Sequence, residues 1–221
     1  MKKILVFSLF VLLLPAAAPA NPIISCHCFQ DRSFNPAKPG AADHYFLATT
    51  QNSLLAVTFG LEKRAVVREK MSGTPGEQLW VAHYLAERGG MPPALLLATH
   101  DRSNSWLAAA TLLNIEPGVL VPRFAALLAE DAGDGPLAAA VVDEIVMARL
   151  GITQEEVEEI RVRGGSNAEL ILAAYLGRRG GRPAADLHAE VASGRATWGQ
   201  LLSSLPDTAR TIEEEIRRLL Q

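Results

Sequence analysis

Cysteine is scarce in this chain: there are two among 221 residues, both in the short segment Cys26-His27-Cys28. Disulfides therefore cannot be the main source of stability, which falls to a packed core. A chain of this length can bury a sizeable one, as one domain or two small ones. Positive charge is not in excess either. The formal net charge is −3, which argues against a nucleic-acid partner, because binding phosphates needs a basic face. The one long apolar run, Ile4 to Leu14, has eleven residues, and a membrane-spanning helix needs about 20. Catalytic signatures are missing as well. There is no G-x-S-x-G, no H-E-x-x-H, no glycine-rich phosphate loop with its lysine, and no C-x-x-C-H for haem.

What is present begins with an address. Lys2 and Lys3 precede the apolar run, and Pro15 to Ala20 follow it as a small-residue tail ending in Ala18-Pro19-Ala20. This order fits a secretory signal with an A-x-A cleavage site. Residues 1–20 thus read as a signal peptide, and the remainder as a periplasmic or secreted protein with no transmembrane segment. Residues 21–44 read as an irregular N-terminal arm, since Pro22, Pro36, Pro39 and Gly40 interrupt any helix.

From Tyr45 onward the pattern is helical: Ala and Leu dominate, and polar or Gly-Pro breaks recur at short intervals. The chain also contains much of itself twice. Gly60 to Ala98 aligns with Gly151 to Ala189 without a gap, at a constant offset of 91. Identical pairs include Gly60/Gly151, Leu79/Leu170, Tyr84/Tyr175, Arg88/Arg179, Gly90/Gly181 and Pro92/Pro183. One extra residue then brings Trp106 onto Trp198. In the second copy, Thr153 with Glu156 has the spacing of a capping box, Asn167 can cap the next helix, and Thr197 can cap one opening with Trp198. Gly180-Gly181 stops a helix, and Pro183 suits a first turn. The expectation is an all-α fold of two tandem duplicated lobes, each of about five short helices. Lobe 1 spans 45–117. A linker at 118–135 holds one helix and the turn Asp131 to Pro136. Lobe 2 spans 136–221 and ends in an amphipathic helix, Thr211 to Leu220, with Glu213/Arg217 and Glu214/Arg218 as i,i+4 pairs. A cleft between the lobes is the default binding site.

The second copy runs Leu150-Gly151-Ile152-Thr153, Val157, Gly164 and Thr197-Trp198-Gly199-Gln200-Leu201. It resembles a loose group of uncharacterised exported bacterial helical-repeat proteins, whose units open on a similar Leu-Gly helix start and close on a Trp-Gly-Gln segment. The first copy departs from that pattern, with Leu107 and Ala108 after Trp106. The resemblance implies an exported helical protein and no particular activity.

Cys26-His27-Cys28 is the one local motif with chemical content. The two cysteines can bond to each other in an oxidising compartment, closing a small strained ring. Their thiolates, with His27 or His44 adding a nitrogen, can instead hold a soft or borderline metal such as copper or zinc. Ile23-Ile24-Ser25-Cys26 is also a loose match to a lipidation site, which would anchor the protein at Cys26. Cys28 with His44 as base would make a nucleophile pair. His83, His100 and His188 read as lone surface or partly buried residues. Arg88 and Arg179 beside double glycines read as helix C-termini, with an anion-gripping pair as the alternative. Trp106, Trp198, Tyr84 and Tyr175 read as core. The leading expectation is a cell-envelope module without catalytic activity that binds a protein or small ligand. The alternative is a thiol-redox or metal protein acting through Cys26, His27 and Cys28.

Overall fold

The computed structural model describes residues 29–206 and 211–220. The expected signal segment, residues 1–20, and Cys26-His27-Cys28 lie outside those residues. Within them the fold is all-helical. The first six helices are α1 (Asp43–Thr58), α2 (Lys63–Met71), α3 (Gly76–Gly89), α4 (Pro93–Ser103), α5 (Trp106–Leu112) and α6 (Pro122–Ala129). The next six are α7 (Asp134–Ile145), α8 (Gln154–Val162), α9 (Asn167–Gly180), α10 (Ala184–Ala192), α11 (Trp198–Ser203) and α12 (Ile212–Leu219). A π turn, Val146–Leu150, extends α7 to Gly151. Both bounds of α2 and α3 recur in α8 and α9 at the sequence offset, and Gly90 and Gly181 close α3 and α9 with φ of 63° and 65°.

Local chemistry accounts for most boundaries. Thr153, Ser166, Thr197 and Thr211 each form a capping box with the Glu or Gln three residues on, satisfying two orphan N–H groups reciprocally. Ser166, not Asn167, caps α9. Its side chain meets the N–H of Glu169, and Glu169 answers the N–H of Ser166. The expected turn Asp131 to Pro136 is shorter than its composition suggests. Asp134 already opens α7, and Pro136 stands in the first turn, where a missing N–H breaks no helical bond. Glu214 is taken by the cap at Thr211, so Arg218 pairs with Glu215 instead.

Packing does not follow the chain division at the linker. Helix α1, from the first copy, packs against α9 and α12 of the second, while α7, from the second, packs against α3 of the first and α6 of the linker. Each copy has lent its first helix to the other. Small side chains permit this close fit on α1, where the hydroxyls of Thr50 and Ser53 donate to the carbonyls of Phe46 and Thr49 at 2.7 Å. A buried polar group satisfied inside its own helix avoids a desolvation penalty. α3 and α9 are buried over eight consecutive residues, Leu79–Ala86 and Leu170–Gly177, so they sit at the centre. One hydrophobic cluster runs from Ala42 to Ile216 through both copies.

Asp43 and Asp134, the first residues of α1 and α7, fasten the exchanged helices. Asp43 accepts from the N–H groups of Trp198 and Gly199 at 3.1 and 2.8 Å. Asp134 accepts from Trp106 Nε1 at 2.6 Å and Gln78 Nε2 at 3.0 Å. The arm joins the Asp43 fastening, as Thr197 Oγ1 donates to the Pro39 carbonyl at 3.0 Å. A Cβ on Gly199 would stand 2.8 Å from that same carbonyl. Glycine after Trp198 therefore makes room for the arm, and Leu107 takes its place in the first copy.

Candidate functional site

Two cavities occupy the same place in the two copies. The first, about 760 Å³, lies between the C-terminal ends of α1 and α3 and the start of α4. Phe59, Gly60, His83, Glu87 and Met91 are among its lining residues. The second, about 420 Å³, is lined mostly by residues 91 positions on, including Leu150, Gly151, Arg178 and Arg182. Neither cavity is the expected cleft between lobes; each sits inside one repeat of the helical pattern.

Three substitutions explain the difference in size. In the second copy Gly177 lets the segment after α9 close in: a Cβ there would meet the Arg182 carbonyl at 2.7 Å. The first copy has Ala86 at that position, so the segment stands off. The second copy is also latched, since the Ala184 N–H donates to Glu156 Oε1 at 2.7 Å. In the first copy Pro93 has no N–H to give and Ala65 no carboxylate to receive it. The first cavity is thus wider because its copy lacks both the close approach and the latch.

The wider cavity also has the more varied wall. His83 is 7% exposed, and its ring stacks on Phe59 at 5.5 Å with an interplanar angle of 26°. Burial pushes its pKa below the ordinary histidine value, which favours the neutral ring. Trp80 meets Phe59 edge-on at 6.0 Å. The Thr58 hydroxyl is buried in the wall without a hydrogen-bond partner among the described residues. Glu87, one turn along from His83, is exposed at the mouth. The second copy has Ala174 in place of His83 and Arg178 in place of Glu87.

His100 and His188 are buried too, so all three rings are more enclosed than lone surface or partly buried residues. His100 stacks on Trp106 at 4.1 Å and faces Asp134 at 3.7 Å. His188 is 3% exposed, with burial lowering its pKa. Large flanking aromatics and Ala-rich neighbours cover these rings, and periodicity does not report that. Arg88 and Arg179 do not converge on a shared anion. Arg88 lies over Tyr84 at 5.1 Å and pairs with Glu144 at 3.3 Å. Arg179 donates to Tyr175 and pairs with Glu215 at 3.4 Å. Trp106, Trp198, Tyr84 and Tyr175 are core residues as expected.

His44 is exposed on α1, and Cys26, His27 and Cys28 lie outside the described residues. Phe29, the first described residue, packs edge-on to Tyr45 at 5.9 Å. Among the described residues no three His, Cys, Asp or Glu side chains are grouped to hold a metal ion, and no helix is long and apolar enough to cross a membrane. No protein-family model, curated protein or solved structure matches the chain.

Proposed function

We propose that this protein is an exported, non-catalytic binding module of the cell envelope that takes a small ligand in the cavity between α1, α3 and α4. The observation that carries this reading is the divergence of two positions related by duplication. One has been narrowed by Gly177 and the Glu156 latch, while the other keeps a larger volume walled by an aromatic ring, a buried imidazole and a flexible methionine. Pockets of several hundred Å³ with mixed apolar and polar walls are the usual form of small-ligand sites. The basic-apolar-small order of residues 1–20 supports export, and the Trp-Gly-Gln resemblance supports the same setting. The thiol or metal alternative rests on the sequence of Cys26-His27-Cys28 alone.

A direct test is an amide NMR spectrum of the exported chain, recorded against a library of small organic fragments. Fragments are expected to shift Gly60 and Gly90 before Gly151 and Gly181. Ala86→Leu, which fills the first cavity from its wall, is expected to remove those shifts and keep the rest of the spectrum. Uniform indifference of Gly60 and Gly90 to the whole library would sink the proposal.

A further inference from the structure

We infer that the ligand of this cavity is an organic cation with a small apolar body, such as an alkylammonium. The inference rests on the binding reading above and adds the charge and shape of what is bound.

Two helices aim their C-terminal ends at the cavity. α1 ends at Phe59 and α3 at Gly90, both in the lining. The last carbonyls of a helix lack intrahelical partners and carry its partial negative charge. No basic residue stands in the last turn of α1. Arg88, in the last turn of α3, is directed to Tyr84 and Glu144 instead of into the cavity. Glu87 adds a carboxylate at the mouth, where the same helix end opposes a negative charge. No lysine or arginine lines the cavity. The one opposing dipole, the start of α4, is blunted because Pro92 and Pro93 carry no N–H and the Leu95 N–H is turned back to the Pro92 carbonyl.

The second cavity shows what such an end calls for. At the positions of Glu87 and Met91 it has Arg178 and Arg182. There Arg178 stands beside the C-terminal end of α9, while Arg182 pairs with Glu190 at 2.6 Å. The first copy has no cation of its own at those positions, and has instead a carboxylate, the Phe59 ring and the apolar surfaces of Leu61 and Met91. An aromatic ring and a carboxylate in one wall suit a poorly hydrated ammonium group, and the apolar wall suits a short hydrocarbon body.

The test uses the exported chain with three probes of equal chain length: hexyltrimethylammonium, hexanol and hexanoate. Binding is followed at the Gly60 and Gly90 amides. The cation is expected to bind about tenfold more tightly than hexanol, with hexanoate weaker still. Glu87→Gln is expected to remove most of that preference and leave hexanol binding unchanged, which also shows that the variant is folded. The double variant Glu87→Arg, Met91→Arg copies the second cavity and is expected to abolish cation binding. Equal or tighter binding of hexanol or hexanoate would overturn the cation inference and leave the binding module standing. If none of the three probes moves Gly60 or Gly90 at millimolar concentration, both readings fall.

Discussion

Replacing Asp143 by asparagine tests how the two copies hold their buried polar contacts. Asp143 is 1% exposed. It accepts from Arg161 Nη2 at 2.7 Å and Nε at 3.0 Å, and from Arg123 Nη1 at 2.9 Å. Arg161 also reaches the Gly165 carbonyl at 3.0 Å and Asn167 Oδ1 at 2.6 Å, so the cluster joins α6, α7 and α8 to the start of α9. Breaking a buried pair by removing one partner costs about 3–5 kcal/mol. Arg161 retains two neutral acceptors, and the Arg123 side chain is 62% exposed, so the low end, about 3 kcal/mol, is expected. At a urea m-value of about 2–3 kcal/mol/M this lowers the unfolding midpoint by roughly 1–1.5 M. The first copy already contains the alternative. There Lys70 donates to Asn52 at 2.7 Å, at positions equivalent to Arg161 and Asp143. Asp143→Asn with Arg161→Lys is therefore expected to recover at least half of the loss. Urea unfolding followed by circular dichroism measures both. A loss under about 1 kcal/mol for the single variant, or a double variant no better than the single, would refute the reasoning.

Three other outcomes follow from the packing. Gly177→Ala puts a Cβ 2.7 Å from the Arg182 carbonyl and is expected to destabilise by about 1–3 kcal/mol despite its better helix propensity; an unchanged melting temperature would contradict the account of the small cavity. Burial lowers the pKa of both His83 and His188, so the unfolded chain protonates these rings first as pH falls. Their contribution to stability is complete above the unfolded value of about 6.5 and is lost below it until the folded rings protonate. His83→Phe should therefore flatten the fall in melting temperature between about pH 7 and 5, and an unaltered slope would tell against a buried neutral ring. Gly199→Leu is expected to displace residues 34–40 from α11, opening the arm to limited proteolysis while leaving the helical signal intact. Equal protease resistance would show that the arm is held by other contacts.

How much of this was legible in the sequence depends on the range of the interaction. Thr153, Thr197 and the glycine ends of α3 and α9 were legible because capping is settled within four residues. The slip from Ser166 to Asn167 is of that kind too, since Ser166 with Glu169 has the same spacing as the boxes that were found. The exchange of α1 and α7 was not legible. Duplication shows that two units are alike, and either unit can accept an apolar helix from either copy. The candidate cavity was missed for a different reason. The identical columns marked the shared scaffold, whereas Ala86/Gly177, Glu87/Arg178 and Pro93/Ala184 are mismatches. What separates the wider cavity from the narrower one lies in those columns. The depth of burial of His83, His100 and His188 was not legible, because burial of a lone ring depends on aromatic neighbours such as Phe59 and Trp106, which no local pattern assigns.

The exchanged helices also have a consequence in time. A chain made from its N-terminus delivers α1 first, yet two of the helices that cover it, α9 and α12, follow only in the second half of the chain. Until those two are made, α1 has only the short α2 to settle on. The first copy meanwhile waits for α7 to complete it, so neither half finishes on its own. A fold closed by contacts so distant along the chain ties up its earliest helix only in the final step. Until then that helix is the segment most available to a holding chaperone, and a break anywhere between the copies leaves two unfinished pieces.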